Sequence, residues 1–410
     1  MKRLGILIAC TVALFTNING QPLADLIALV DEENLRLKSI NQEYLSLLER
    51  APQVGQLPDP EVGAGVFVRA PETRVGPQIF RLGASQMLPW KGTLQARQDV
   101  ALARARVKYE EIDMERRSLV YMVKEAYFQL YELGKSQEII RRNIRIFETL
   151  DRFTLSRVES GKSSSADVLR VQLKRQELEQ ELQLLENRKV KVRARLNQAL
   201  SRPVDTPVTI TDTLTMARLD LDRDTLGGHL NATHPAIAML TRSQEVARKE
   251  QALNVLSGKP TFGVGLDYIM VNERKDVDIP QNGKDIIMPM ARVTIPLNRT
   301  RYGAKDREEE LRIAAIEDRK QDMQVLLLAE IESALSEMQD AHLKLELYEK
   351  LMRTTRATLA VLETTYSTSG QGFDELLRLQ NELVTYDLKV LRAIVQSHIA
   401  KAMIERYLNS

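Results

Sequence analysis

Pro60-Glu61-Val62-Gly63-Ala64-Gly65-Val66 returns as Pro260-Thr261-Phe262-Gly263-Val264-Gly265-Leu266, displaced by 200 residues. Farther along, Gly161 followed by Asp167-Val168-Leu169-Arg170-Val171-Gln172 returns as Gly370 followed by Glu375-Leu376-Leu377-Arg378-Leu379-Gln380, displaced by 208 to 209. Asn34-Leu35 and His234-Pro235 stand at matching points ahead of each strand-like run. Solenoid units run about 20 to 50 residues, so a period this long marks a duplicated half-protein. Each half holds strand-like runs followed by very long helical stretches.

The strand-like runs span Glu61 to Ala70, Gln78 to Leu88, Thr261 to Val271 and Asp285 to Ile295. In the first, Val62, Ala64, Val66 and Val68 alternate with Glu61, Gly63, Gly65 and Arg69. In the third, Phe262, Val264, Leu266, Tyr268 and Met270 alternate with Thr261, Gly263, Gly265 and Asp267. Pro289 makes the fourth run the least regular. Each run has about the ten residues that a tilted strand needs to cross a bilayer. A soluble four-stranded sheet is the other reading of the same alternation.

The helical stretches decide between them. Thr93 to Ser160 contains no proline and only Gly134, and Ala304 to Ser369 contains neither proline nor glycine. At 1.5 Å per residue each would extend roughly 100 Å, which no globular core can bury. Such helices must lie side by side as rods. Each ends at a glycine-centred turn, Gly161 or Gly370 with Gly372, and a shorter helix returns, Ala166 to Leu200 or Asp374 to Leu408. The missing length is supplied by Pro235 to Leu256 in the first copy and by Leu23 to Leu48 for the second.

Composition narrows the function. A net charge of +2 offers no basic surface for nucleic acid. Lys2 and Arg3 precede the apolar run Leu4 to Phe15 and the small residue Gly20, which reads as an export signal over residues 1–20. No later segment has the roughly 20 apolar residues of a spanning helix. Cys10 is the single cysteine and falls within that signal, in a Leu7-Ile8-Ala9-Cys10 sequence shaped like a lipoprotein cleavage box. The domain plan that follows is a first repeat over 21–200, with its hairpin at 93–200, a connector over 201–234, and a second repeat over 235–410, with its hairpin at 301–408.

Four strands cannot close a membrane barrel, because unpaired edges cannot face lipid. Eight strands would leave an interior filled by side chains, so an open duct calls for three or more chains.

Here the residues resemble a known family. Leu57-Pro58-Asp59-Pro60 before the first strand, Gln86-Met87-Leu88-Pro89-Trp90-Lys91-Gly92 at the strand-to-rod junction, His234-Pro235 and the two tip sequences are together similar to the TolC-like outer-membrane efflux proteins. The resemblance covers residues 22 to 408, and it rests on the order and spacing of short motifs. It implies a mainly α fold with a transmembrane β-barrel: a homotrimer with twelve strands in the outer membrane and twelve helices in a periplasmic α-barrel. It also implies a mixed α/β belt around Arg202 to Gly228. Such a duct conducts passively, from an inner-membrane pump of the resistance-nodulation-division or ABC type, through a periplasmic adaptor (membrane fusion protein).

The hairpin tips, farthest along the chain from the strands, are the place for a gate. The resemblance maps a gating carboxylate onto Asp167, its tyrosine partner onto Tyr366, and an acidic constriction onto Glu375 with Asp374 adjacent. Two positions depart from the family pattern: Gln371 stands where an arginine is expected, and Arg378 where a second acidic ring is expected. Asp and Glu in a first helical turn also serve as ordinary caps. The resemblance assigns adaptor contact to the tips at Gly161, Lys162, Gly370, Gln371 and Gly372. Trp90, the sole tryptophan, suits a membrane interface or the packing of the barrel-to-rod transition.

Enzyme and metal chemistry find no support in the pattern. Gly63-x-Gly65 and Gly263-x-Gly265 lack the third glycine of a dinucleotide loop. His229, His234, His342 and His398 form no ligand-spaced pair, so neither a metal nor another cofactor is expected. Ser163 to Ser165 has no neighbouring histidine. A periplasmic adaptor would need one hairpin flanked by compact β domains, and a coiled-coil scaffold would leave the repeated strands without a role.

Overall fold

The computed structural model describes residues 22–221, 226–276, 278–369 and 371–408. The expected export signal with Cys10, and the tip residue Gly370, lie outside the described residues. In chain order the elements are α1 (Leu23–Glu33), α2 (Leu35–Leu48), α3 (Arg50–Val54), β1 (Glu61–Val66), β2 (Gln78–Leu88), α4 (Thr93–Glu159), α5 (Ser165–Ala199), α6 (Leu226–Thr233), α7 (Pro235–Ser257), β3 (Thr261–Val271), β4 (Ile286–Thr294), α8 (Arg299–Ser369) and α9 (Phe373–Leu408). The chain forms two compact units, one of residues 22–35, 116–221 and 330–408, the other of 36–115 and 222–329. Each draws on both sequence repeats.

The second unit holds the sheet. Its order is β1-β2-β3-β4, with every neighbouring pair antiparallel. The β2–β3 pairing, from Phe80↔Met270 to Leu88↔Phe262, therefore joins the two copies through their strands. β1 stops at Val66, short of the ten residues its alternation suggests. Beyond it Phe67 donates one more backbone hydrogen bond to Ile79, and Gln78 turns back to Pro71. The N-terminal helical segment is interrupted at Asn34, whose side-chain amide instead donates 2.7 Å to the Ala199 carbonyl within the first unit. Pro52 falls within the first turn of α3, where its missing N–H costs nothing.

In the first unit α4 turns into α5 through a left-handed glycine. Gly161 has φ +70, the Lys162 N–H bonds Arg157 O at 2.8 Å, and the Gly161 N–H bonds Val158 O at 2.9 Å. This is the double hydrogen bond of a Schellman end, which a side chain at φ > 0 would strain. Ser164 caps α5 by accepting from the Ala166 N–H at 3.2 Å. Val171, Leu178 and Leu185 of α5 bury against Ile140 and Phe147 of α4, Leu359 and Tyr366 of α8, and Phe373, Leu376 and Leu379 of α9. Burying each such side chain contributes about 1.5–3 kcal/mol, and polar pairs such as Gln137–Glu186 and Arg142–Asp387 flank this apolar seam.

No strand forms among residues 202–221 of the expected belt, and residues 222–225 of it lie outside the described residues. The segment is satisfied sideways by helix side chains. Leu214 N–H donates to the Tyr131 hydroxyl at 3.2 Å, and Ala217 N–H to Ser397 Oγ at 3.0 Å. Buried Tyr127 donates to Asp212; burial first, then that carboxylate, pushes the phenol's pKa up. His398 Nε2 donates to the Thr215 carbonyl at 2.7 Å, and its ring packs on Phe128. Burial pushes the His398 pKa below its ordinary value.

A folded-state pKa below the unfolded value means the unfolded chain takes up the proton first. The stability that neutral His398 contributes is present above about pH 6.5 and is lost as pH falls below it. Thermal unfolding of wild type and His398→Gln across pH 4.5 to 7.5 reads this directly. The wild-type Tm is expected to fall more steeply toward the acid end than that of the variant.

Candidate functional site: a two-faced sheet and a tied pair of hairpin tips

The strand register sorts the sheet into two chemically opposite faces. One face carries Val62, Ala64 and Val66 of β1, Phe80, Leu82, Ala84, Gln86 and Leu88 of β2, Phe262, Val264, Leu266, Tyr268 and Met270 of β3, and Ile287, Pro289, Ala291 and Val293 of β4. It bears no charge, and its large residues are exposed, Val66 at 74% and Ile287 at 67%. The other face carries Glu61, Arg81, Asp267 and Arg292 among glycines and methionines. Trp90 stacks on Phe262 with ring centroids 6.1 Å apart, at the junction between β2 and α4. Among the described residues no helix is long and apolar enough to cross a membrane.

The glycines on the charged face have separate physical reasons. A Cβ on Gly263 would meet Met87 Sδ at 2.7 Å, and one on Gly83 would meet an Asp267 carboxylate oxygen at 2.3 Å. At Gly63 and Gly65 a Cβ would meet nothing within 4 Å. The first two admit a neighbour's side chain; the second pair leaves bare backbone.

The hairpin tips gather the residues singled out in the sequence. Asp167 caps its own helix by accepting from the Ser164 N–H at 3.3 Å, and also accepts from Ser163 Oγ at 2.9 Å. Ser163 Oγ lies 3.2 Å from the Tyr366 hydroxyl. A carboxylate only accepts, so Ser163 spends its single proton on Asp167, and Tyr366 must donate to Ser163. The expected Asp167–Tyr366 partnership thus runs through an intervening serine.

Cations complete the tie. Arg170 Nη1 reaches Asp167 Oδ1 at 3.1 Å and Asp374 Oδ1 at 2.6 Å, bridging the two hairpins. The Arg157 guanidinium sits 4.8 Å from the Tyr366 ring centroid and donates to Ser367 O at 3.2 Å. Tyr366 is 2% exposed and packs against Phe153 and Phe373. Glu375 stands apart, held by Arg378 one turn later, with Nε to Oε2 at 3.1 Å. That hydrogen-bonded guanidinium keeps the exposed Glu375 carboxyl below the usual carboxylate range. Gln371 donates its backbone N–H to Ser369 Oγ at 3.3 Å, and Gly372 adopts φ +84 to start α9. Gly161 and Lys162 form the other turn, described above.

Arg157, Ser163 and Arg170 were missed as site residues. Arg170 had a legible signal, since it lies three residues from Asp167 on one helical face. What the sequence hides for Ser163 and Arg157 is their link to the second hairpin, because Tyr366 and Ser367 lie more than 200 residues away in the chain.

A mainly helical chain with one small antiparallel sheet and two long hairpins has the architecture of an outer-membrane efflux channel. Residues 72–202 match the outer membrane efflux protein family. Among solved structures the chain is similar to the channel CusC, with TM-score 0.77 and 14% identity over 95% of this chain and 92% of that one. It is similar to the outer membrane protein VceC of Vibrio cholerae, with TM-score 0.74 and 14% identity over 95% and 96%. A third match is the open state of the MtrE outer membrane channel of Neisseria gonorrhoeae, with TM-score 0.73 and 16% identity over 94% and 88%. No curated protein matches in sequence. The likeness over residues 72–202 and the fold shared along the whole chain are those of outer-membrane efflux channels.

The serine relay makes a sharp expectation. Ser163→Ala removes both hydrogen bonds of the relay and Tyr366→Phe removes one, each bond worth about 0.5–1.5 kcal/mol. Their effects on hydrogen-exchange protection at the tips should be strongly non-additive, because either change breaks the same relay. Additive losses would show the two groups acting independently.

Proposed function

We propose that three copies of the chain close their sheets into a twelve-stranded barrel in the outer membrane, with the uncharged face toward lipid. That face carries the reading. A large exposed surface without charge is costly in water and suits hydrocarbon. β1 and β4 are the edges of the sheet in one chain; in lipid each must pair with a neighbouring copy. Trp90, stacked on Phe262, then serves as an interface anchor. The domain plan of two strand–hairpin repeats, 21–200 and 235–410, joined by 201–234, follows the duplication.

In this assembly the helical tips lie in the periplasm and gate the duct. Asp167, Tyr366 and Asp374 hold the closed arrangement through Ser163, Arg157 and Arg170, and Glu375 lends negative charge to the constriction. Exposed ion pairs contribute about 0–1 kcal/mol each, so the tie is weak enough for a partner to release. Release would swing one hairpin against the other, a change between two packings. Gly161, Lys162, Gln371 and Gly372, with Gly370, form the contact for a periplasmic adaptor. Through it an inner-membrane pump of the resistance-nodulation-division or ABC type delivers substrate. The chain itself conducts passively.

Light scattering of the detergent-extracted protein is expected to give a trimer, with low conductance in a planar bilayer. Arg170→Ala, which severs the ion pair to Asp374, should raise conductance severalfold without changing the oligomeric state. A monomer soluble without detergent would sink the duct, and an Arg170→Ala trimer conducting like wild type would move the gate elsewhere.

A further inference from the structure

The charged face of the sheet contains an arrangement that the gate does not use. Arg81 and Asp267 pair across β2 and β3 through Nη2, with Met290 Sδ 3.9 Å from the same nitrogen. The pair is lopsided: the Asp267 side chain is 2% exposed and that of Arg81 is 46% exposed. Arg81 Nε and Nη1 hydrogen-bond to nothing among the described residues. Asp267 is the seventh residue of the eleven in β3, far from either strand end.

The surrounding wall is stripped of side chains. The rung through Asp267 runs Gly63, Gly83, Asp267, Met288; the next runs Gly65, Arg81, Ile269, Ile286. Gly83 makes room for the carboxylate itself, while Gly63 and Gly65 border open space. In these two rungs Arg81 is therefore the sole exposed charge. A mid-strand ion pair on the opposite face would meet hydrocarbon, which disfavours charge; in the proposed barrel it faces the interior.

We propose that Arg81 is a contact site within the membrane barrel for anionic groups on passing solutes, carboxylates above all, with Asp267 as its positioning residue. This rests on the strands forming the barrel described above. Guanidinium presents a planar fork of donors that matches a carboxylate bidentately. Asp267 uses one arm, aims the group along the wall and leaves the other donors toward the lumen. Threefold symmetry would place three such groups around the duct, where a ring of like charge sets ion preference.

The test is the reversal potential of single trimers in a planar bilayer under a potassium chloride gradient. Arg81→Gln removes the cation, and Asp267→Asn exposes it more fully. Gly63→Asp places a carboxylate on the bare wall beside it and leaves the pair intact, which guards against misfolding of the other two. The chloride-to-potassium permeability ratio is expected to fall about threefold in Arg81→Gln and Gly63→Asp and to rise in Asp267→Asn. Potassium citrate added on the barrel side should reduce wild-type current more than that of Arg81→Gln. Ratios equal to wild type in every inserting variant would overturn the site and leave the duct standing. A chain that forms no pore in any version would overturn the barrel and this site with it.

Discussion

The sheet carries backbone groups at its two edges that no strand of the same sheet satisfies. A four-stranded antiparallel sheet has two open edges, and β1 and β4 occupy them. In water such edges invite pairing; in hydrocarbon each unpaired N–H and C=O costs several kcal/mol. A sheet whose apolar face also lacks charge has no good environment as a single copy. In the proposed assembly, closure with further copies would resolve both demands at once.

The helical part meets a different demand. Helices α4 and α8 have 67 and 71 residues and satisfy their own backbone along their length. What they need is lateral cover. In the first unit this comes from a seam of Leu, Ile, Val and aromatic residues ending at Tyr366 and Phe373. Just there the chemistry changes from apolar packing to a small polar network, Tyr366 to Ser163 to Asp167 to Arg170 to Asp374. Apolar burial is strong and non-directional, whereas each polar tie is weak and geometrically exacting. In the proposed gate the tips would separate while the seam persists.

Charge placement follows the same division of labour. On the sheet, charges sit on one face only, and their glycine neighbours shape the wall around them. At the tips, the arginine expected past the second turn is replaced by Gln371, and first-hairpin arginines do the bridging. The cation that meets Asp374 comes from another helix.

The sequence by itself determined the duplication, the four strands with their alternating faces, the two long hairpins and the glycine turn at Gly161. Those features are local: period two, period 3.6 and a left-handed turn are written in neighbouring residues. Asp167 and Tyr366 were legible as site residues only through resemblance. Tertiary structure alone decided that Ser163 stands between them, that Arg170 reaches Asp374, that Asp267 lies beneath Arg81, and that residues 202–221 stay unpaired against helix side chains. Each of those is a meeting of residues far apart in the chain, where side-chain reach and the space left by neighbours choose the partner and no local pattern records it.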